Sequence, residues 1–227
     1  MTDSHDLRRT RALLFDLDGT LLDTVADLAE ATNAMLLELG RAPLPVARIA
    51  TFVGKGADRL VHRALTNDAH GQAANDEFDR ARAAFDRHYA RENGRQARPY
   101  DGVVEGLERF SARGLPMACV TNKPQGFSEQ LLAASGLARY FAVVIGGDVL
   151  PRRKPDPLPL LEAATRLGQR PEHCLMVGDS ANDAAAARAA RMPVLLVPYG
   201  YNEGEPIGSV ESDGIVHSFL DVDRQLG

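Results

Sequence analysis

The sequence predicts an α/β fold, a doubly wound parallel sheet with an all-helical cap domain inserted into it. From residue 103 onward, short apolar runs alternate with amphipathic stretches of helical periodicity, which is typical of strand and helix units around a parallel sheet. An isolated apolar run, Ala12–Phe15, precedes residues 24–95, in which only helical periodicity is found. The first strand therefore belongs to the later sheet, and the helical stretch interrupts that sheet.

The elements of the sheet domain follow the insertion in a regular order. Each predicted strand is a short apolar run, and each predicted helix carries apolar residues at a spacing of three or four. These elements are helix Val103–Ser111, strand Met117–Thr121, helix Phe127–Ser135, strand Phe141–Ile145, helix Leu158–Leu167, strand Cys174–Gly178, helix Asn182–Ala190 and strand Val194–Val197.

The inserted cap is assigned to residues 24–95, so residues 1–23 and 96–227 together form the core. Apolar stripes that begin at Leu28, Leu60 and Phe78 have the spacing of helix packing faces. Because the insertion directly follows the first strand, it should lie above the carboxyl edge of the sheet, where open parallel sheets bind ligands. The cap can therefore close over a bound ligand as a lid.

Two carboxylates, Asp16 and Asp18, stand where the first strand ends. A buried strand tolerates no charge inside the sheet, so both should project from its carboxyl end. Gly19 lets the backbone approach whatever they hold. One carboxylate can attack as a nucleophile while the other transfers a proton, with a divalent cation offsetting their repulsion. A solvated turn is the alternative, whereas a calcium loop does not fit the continuation Thr20-Leu21.

Three further polar elements follow apolar runs downstream, in a fixed order. Thr121 ends a strand, and its hydroxyl and the following amide of Asn122 can donate hydrogen bonds to an anion. Lys154 lies in a loop restricted by prolines and offers one ammonium group. Asp179 ends another strand, and Asp183 falls on the same face of the helix that begins there. Together they supply carboxylates for a metal, and a hydroxyl and a lysine for a phosphoryl group.

This set of motifs resembles the haloacid dehalogenase superfamily, specifically its phosphatases, from Leu13 to about Val216. The resemblance implies a Rossmann-like core with a helical cap, and phosphoryl transfer through an aspartyl-phosphate. In this reading Asp16 is the nucleophile and Asp18 is the general acid and base. Dehalogenases of the superfamily lack the second aspartate, so Asp18 favours phosphoryl transfer over cleavage of a carbon–halogen bond.

The resemblance also implies which residues hold the ligands. The phosphoryl oxygens would be bound by Thr121, Asn122 and Lys154. A magnesium ion would be held by Asp16, the backbone carbonyl of Asp18, and Asp179. For Asp183 and Ser180 two roles stay open, a contact with the metal or support for its neighbours, which for Asp183 includes the orientation of Lys154.

Shorter stretches narrow the expected substrate. Residues 54–57, 121–124 and 199–202 are similar to those of the phosphoglycolate phosphatases of this superfamily, which implies hydrolysis of 2-phosphoglycolate. In the cap, Gly54 and Gly56 bracket Lys55, and each glycine would cost roughly 1 kcal/mol inside a helix. We therefore expect a loop that enters the cleft, where Lys55 or an arginine of the cap could pair with the carboxylate of the substrate. The alternative is a turn between helices with a solvated lysine.

Other functions remain open on the sequence. Related enzymes with a cap act on other sugar phosphates or on pyrophosphate, or are phosphomutases. Outside this class, a phosphoacceptor signalling module also phosphorylates an aspartate beside magnesium and a lysine. The second acid, Asp18, and a lid that a signalling switch does not need argue against such a module. The intact motif residues argue against a catalytically silent binding protein.

Composition indicates a soluble enzyme. The chain has 227 residues, of which 44% are hydrophobic and 25% charged, so it can bury a substantial core. A net charge of −5 makes nucleic acid an unexpected partner. Neither a membrane-spanning run nor a signal-peptide core is found, so we expect a cytoplasmic location. Cys119 and Cys174 lie in apolar strands and are expected to be structural. The expected partner is a small phosphorylated metabolite, and the expected state is a monomer or homodimer.

Overall fold

The structure, a computed structural model, describes residues 6–227. The strands are β1 (Ala12–Phe15), β2 (Leu22–Asp23), β3 (Arg98–Pro99), β4 (Met117–Val120), β5 (Val143–Ile145), β6 (Cys174–Gly178), β7 (Val194–Leu196) and β8 (Gly214–Ile215). The α-helices are α1 (Val25–Glu38), α2 (Val46–Ala50), α3 (Ala57–Thr66), α4 (Asn75–Glu92), α5 (Val103–Ala112), α6 (Gln125–Ala134), α7 (Leu158–Arg166), α8 (Ala181–Ala189) and α9 (Phe219–Leu226).

A six-stranded parallel sheet forms the core, in the order β5-β4-β1-β6-β7-β8. The chain runs outward from β1 in one direction through β4 and β5, and in the other through β6, β7 and β8. Strand β1 is therefore next to the point where the strand order reverses. In open α/β sheets, ligands bind beside the carboxyl ends of the strands at such a point.

Strand β1 is buried on both faces because helices cover both sides of the sheet. Leu13 and Phe15 point to the face covered by α5 and α9, where the rings of Phe15 and Phe219 stack with their centroids 5.2 Å apart. Ala12 and Leu14 point to the opposite face, which α7 and α8 cover. Because both faces of β1 are covered, a charged side chain can be accommodated only at the end of this strand.

The predicted α/β fold and its parallel sheet are confirmed, and the element bounds differ by a few residues. Helix α6 begins at Gln125, ahead of the predicted Phe127, because Pro124 occupies the N-cap position and the helix can start directly after it. Strand β5 begins at Val143 and not at Phe141, because residues 138–140 form a 3-10 turn. In the part of the chain that the structure describes, no helix is long and apolar enough to cross a membrane.

Five elements were missing from the sequence prediction, namely α2, β2, β3, β8 and α9, and α2 spans only five residues. The three strands have two residues each, which is too short for an alternating pattern to show. Helix α9 has eight residues and buries only Phe219, Val222 and Leu226, so its helical period is sampled over barely two turns. It nevertheless covers α5 and closes one face of the sheet.

The inserted cap consists of α1 to α4 and has its own hydrophobic cluster, which includes Met35, Phe52, Leu60 and Phe85. Helices α1 and α4 make the most extensive packing in the cap. The chain leaves the core through β2 and returns through β3, and these two strands pair in antiparallel orientation. The two crossings therefore run side by side.

A buried carboxylate, that of Asp27 in the first turn of α1, fastens the start of the cap to its end. Its side chain is fully buried and accepts hydrogen bonds from the backbone N–H groups of Gly94 (2.9 Å), Gln96 (2.8 Å) and Ala97 (3.2 Å). Hydrogen bonds to a charged acceptor are stronger than neutral ones. Asp27 therefore holds the two connections between cap and core together.

We expect Asp27→Ala to lower the free energy of unfolding by about 3 kcal/mol or more, because buried N–H groups lose their acceptor. Urea denaturation followed by circular dichroism measures this difference. Asp79→Ala in α4 is the matched control, since Asp79 is exposed. Equal losses in the two variants would contradict the role assigned to Asp27.

Candidate active site

Asp16 and Lys154 form an ion pair at the carboxyl end of β1. The ammonium of Lys154 is 2.9 Å from Oδ1 of Asp16 and donates to the backbone oxygen of Val120 at 2.7 Å. The N–H of Leu17 donates to the same Oδ1 at 2.7 Å. Both charged side chains are buried, so Asp16 is held in one orientation with Oδ2 free of these contacts.

Asp179, at the end of β6, is fixed by two donors from other parts of the chain. The hydroxyl of Thr20 donates to Oδ1 at 3.0 Å, and the N–H of Tyr201 donates to Oδ2 at 2.7 Å. Gly19 and Gly200 flank this carboxylate. A Cβ atom would come within 2.3 Å of Oδ2 at Gly19 and 2.2 Å at Gly200. The sequence thus leaves both positions without side chains so that Asp179 can occupy the space.

Asp183 is turned toward Lys154 and toward the start of α8. Its Oδ1 is 2.7 Å from the Lys154 ammonium. Its Oδ2 accepts from the Ser180 hydroxyl at 2.6 Å and from the N–H groups of Asp179 and Ser180, both at 3.2 Å. Ser180 and Asp183 thereby form the capping box of α8. Of the roles left open by the sequence, this geometry favours support of neighbouring groups for both residues.

The cluster of Asp16, Asp179 and Asp183 places more negative charge than positive charge in a buried site. One carboxylate oxygen from each lies within 4.8 Å of the others, and all three residues are buried. Burial raises the pKa of Asp16 to about 6, against the opposing effect of Lys154. Burial, Asp183 and Asp16 raise the pKa of Asp179 well above its ordinary value.

Lys154 stays charged in this site and balances only one of the three carboxylates. Burial alone would lower the pKa of Lys154, but Asp16 and Asp183 raise it above its ordinary value. Hard oxygen ligands with a net negative charge are the donor set that magnesium prefers in proteins. The residues present therefore fit a divalent cation between Asp16 and Asp179.

Asp18 pairs with a different lysine. The ammonium of Lys123 is 2.9 Å from Oδ1 and 3.1 Å from Oδ2 of Asp18. The Lys123 side chain is buried, and its ammonium stands 4.7 Å from the centroid of the Tyr89 ring in the cap. Burial would lower the pKa of Lys123, but Asp18 and Tyr89 raise it. Each aspartate of the first motif is therefore matched with its own cation.

Thr121 and Asn122 lie at the same edge of the sheet. Thr121 is buried, and its hydroxyl oxygen accepts a hydrogen bond from the backbone N–H of Lys123 at 3.2 Å. The side-chain amide of Asn122 donates to the carbonyl of Gly54 in the cap at 3.0 Å and to the carbonyl of Lys154 at 2.9 Å. It thus joins the cap to the loop that carries Lys154. Its side chain is committed to these carbonyls, so a bond to a phosphoryl group falls to its backbone N–H.

Lys55 lies apart from the cavity that the sequence had assigned to it. Gly54 and Gly56 line that cavity, but Lys55 is not among the described residues that do so. Its ammonium pairs with Glu203 of the core at 2.9 Å, and Glu203 also pairs with the buried Arg63 at 3.1 Å. Gly54 and Gly56 thus face the cavity. Lys55, which lies between them, points away from it because its ammonium pairs with the Glu203 carboxylate outside the cavity.

A cavity of about 40 Å³ lies between cap and core. Asp16, Asp18 and Lys123 of the core line it together with cap residues, including Phe85 and Tyr89. By the volume that a bound water needs, it holds roughly three water molecules. With the cap in this position, the cavity suits a small ligand.

Three residues of the site, Thr20, Tyr89 and Tyr201, could not be assigned individual roles from the sequence. Thr20 directly follows the Asp-x-Asp-Gly segment, so its position beside the carboxylates was a usable signal. Tyr89 stood in an apolar helical stripe and gave no sign of a second role. The backbone N–H of Tyr201 carries no sequence signal at all, because any residue but proline supplies it.

Comparison with known proteins gives similarity over almost the whole chain. Residues 10–191 match the model of the haloacid dehalogenase-like hydrolases. The chain is 47% identical over 211 residues to a phosphoglycolate phosphatase of Thiobacillus denitrificans, covering 93% of each protein. It is 48% identical over 216 residues to one of Nitrosospira multiformis, covering 95% of each. A crystal structure of a predicted phosphoglycolate phosphatase from Haemophilus somnus 129pt has a TM-score of 0.89 and 34% identity, covering 95% of this chain and 97% of that one.

We expect Gly200→Ala to weaken binding of a divalent cation about 10- to 100-fold, the usual effect of disturbing the groups that orient metal ligands. The new Cβ atom would meet Asp179 at 2.2 Å, so this carboxylate has to move. Calorimetric titration with MgCl₂ measures the affinity.

Gly208→Ala is the control for that titration, because a Cβ atom at Gly208 meets nothing within 4 Å. Circular dichroism of both variants without metal shows whether they are folded. Unchanged affinity in a folded Gly200→Ala protein would contradict the position of Asp179 in the metal site.

Proposed function

The chain belongs to the haloacid dehalogenase-like hydrolase family, and we propose that it is a magnesium-dependent phosphatase whose substrate is 2-phosphoglycolate. The products would be glycolate and phosphate, formed through an aspartyl-phosphate on Asp16. The buried cluster of Asp16, Asp179 and Asp183 beside Lys154 supports this most directly, because it brings carboxylates that can hold a metal and a cation that can bind phosphate to one edge of the sheet. The relatives that are phosphoglycolate phosphatases support the choice of substrate.

In the first step, an oxygen of Asp16 attacks the phosphorus atom and the bond from phosphorus to the glycolate oxygen breaks. Asp18, as the acid, gives its proton to that leaving oxygen. Lys154 contacts Oδ1 of Asp16 and holds the attacking carboxylate in place. The Thr121 hydroxyl, the Asn122 N–H and the Lys154 ammonium would bind phosphoryl oxygens as hydrogen-bond donors.

In the second step, water attacks the phosphorus atom and the bond from phosphorus to Asp16 breaks. Asp18 is now the base that takes the proton of the water, which returns both aspartates to their starting state. Lys123 stabilises the ionised form of Asp18 between the two steps. The cap, closed over the cavity, limits which water molecules reach the intermediate.

Magnesium would be held by Asp16, Asp179 and the backbone carbonyl of Asp18, where it neutralises charge on the carboxylates and on the transferring phosphoryl group. Thr20 and the N–H of Tyr201 keep the Asp179 carboxylate oriented toward this site. Asp183 and Ser180 would hold the neighbouring groups in place, because Asp183 contacts Lys154 and the two residues together cap the start of α8.

The proposal includes a division of the chain into two parts. Residues 24–95 would be the cap, and residues 1–23 and 96–227 the catalytic core. The separate hydrophobic cluster of α1 to α4 and the paired crossings β2 and β3 support this division. We further propose a cytoplasmic enzyme, monomeric or homodimeric, that acts on a small phosphorylated metabolite and not on nucleic acid.

Purified protein should release phosphate from 2-phosphoglycolate with MgCl₂, lose this activity in excess EDTA and regain it when magnesium is restored. Calcium should not replace magnesium, since its longer bonds and larger ligand shell misalign the attack. The assay also includes glucose 1-phosphate and pyrophosphate, for which kcat/KM should be lower. A preference for either of these would overturn the assignment of the substrate.

Asp16→Asn is the inactive control in that assay, since it removes the attacking charge but keeps the shape of the side chain. It should retain less than about a hundredth of the wild-type turnover, as expected when a nucleophile is lost. Retention of substantial turnover would remove Asp16 from the role of nucleophile.

Asp18→Asn should slow cleavage of an alkyl phosphate by about 10² to 10⁴, the usual contribution of general acid catalysis. The defect should be much smaller for 4-nitrophenyl phosphate, because its leaving group departs without a proton. Single-turnover release of the alcohol or phenol isolates the first step. Equal defects for the two substrates would exclude Asp18 as the acid.

A further inference from the structure

The hydroxyl of Tyr89 in α4 is a buried polar group without a hydrogen-bond partner among residues 6–227. Tyr89 is only 2% exposed, and it belongs to the wall of the cavity that also includes Asp16 and Asp18. Burial raises the pKa of Tyr89, so the hydroxyl stays protonated and can donate. A buried hydroxyl without a partner is costly unless a ligand completes it.

The ammonium of Lys123 lies beside Tyr89 and stays charged. It stands 4.7 Å from the centroid of the Tyr89 ring. Asp18 and Tyr89 together raise the pKa of Lys123, so the ammonium can attract an anion to this part of the cavity. Among the described residues that line the cavity, Lys123 is the only one with a positively charged side chain.

Two cations of the cap, Lys55 and Arg63, are engaged away from the cavity. Lys55 pairs with Glu203, and Arg63 donates to Glu203 and to the backbone carbonyls of Phe52 and Ala69. Arg63 is 1% exposed and is held by three partners, so it is a structural element of the cap. A negatively charged part of a ligand in the cavity would therefore meet Lys123 before it meets either cap residue.

We propose that the Tyr89 hydroxyl and the Lys123 ammonium form the subsite that binds the carboxylate of the substrate, a role that the sequence had given to Lys55. This inference rests on the proposed function. Tyr89 lies on the cap and Lys123 on the core, so both sides of the cleft contribute. A carboxylate bound between them would give the Tyr89 hydroxyl an acceptor and would pair with the charge of the ammonium.

The charges of the cavity agree with this placement. The negative groups that line the cavity are Asp16 and Asp18. Lys123 pairs with Asp18 and so offsets the charge that would otherwise repel a second carboxylate beside Tyr89.

Tyr89→Phe tests the subsite, with kcat/KM measured for 2-phosphoglycolate and for ethyl phosphate, which lacks the carboxylate. The ratio of the two values should fall about 10- to 100-fold, the effect of losing one hydrogen bond to a charged group. The loss should appear mainly in KM, because the carboxylate is bound equally in the ground state and the transition state. The melting temperature of Tyr89→Phe should not fall, since the hydroxyl has no partner in the protein.

Lys55→Ala is the matched comparison, and its substrate ratio should stay at the wild-type value. If this ratio of kcat/KM values falls in Lys55→Ala but stays at the wild-type value in Tyr89→Phe, the proposal is overturned and the carboxylate is assigned to Lys55. A ratio that persists in both variants overturns it as well. A wild-type enzyme without preference for 2-phosphoglycolate over ethyl phosphate overturns the proposed substrate and the subsite together, so the two failures are distinguishable.

Discussion

The Lys154 ammonium, buried between Asp16 and Asp183, is the interaction on which the rest of the site depends. Burying an isolated charge is costly, and the ammonium offsets part of the charge of these two carboxylates at the end of the sheet. Asp183 in turn starts helix α8 through its contact with Ser180, so the helix and the charged cluster stabilise each other. Asp179 adds a further carboxylate to the cluster, which leaves it with fewer cations than carboxylates.

A single segment, residues 199–204, connects that carboxylate to the cap. The N–H of Tyr201 donates to Asp179, while its hydroxyl accepts from the N–H groups of Thr24 and Val25 and donates to Asp23. Because Thr24 and Val25 join β2 to α1, the Tyr201 hydroxyl directly contacts the connection between these two elements. Glu203, two residues later, pairs with Lys55 of the cap. A movement of the cap about this connection would therefore shift Tyr201 and, through its N–H, the Asp179 carboxylate.

The sheet and the charged residues at its edge could be predicted from the sequence, because Asp16 and Asp179 each follow an apolar run that can only be a buried strand. The parallel sheet then brings these strand ends together without further information. The orientation of Lys55 could not be predicted, since it depends on Glu203, which lies 148 residues away in the chain. The sequence placed Tyr89 on an apolar helix face. It could not show that the hydroxyl is buried without a partner and lies beside Lys123, because the fold brings Lys123 and the cap together.

Asn122 shows how closure of the cap and the chemistry of the core are linked. Its amide group joins the Gly54 carbonyl of the cap to the Lys154 carbonyl of the core, and Asn182 also approaches Gly54 at 3.5 Å. When the cap opens, these contacts must break, and the loop that positions Lys154 loses one of its supports. The attacking aspartate is then held less firmly while substrate enters or product leaves. Under the proposed function, full alignment of Asp16 would thus be confined to the closed state, in which bulk water is excluded.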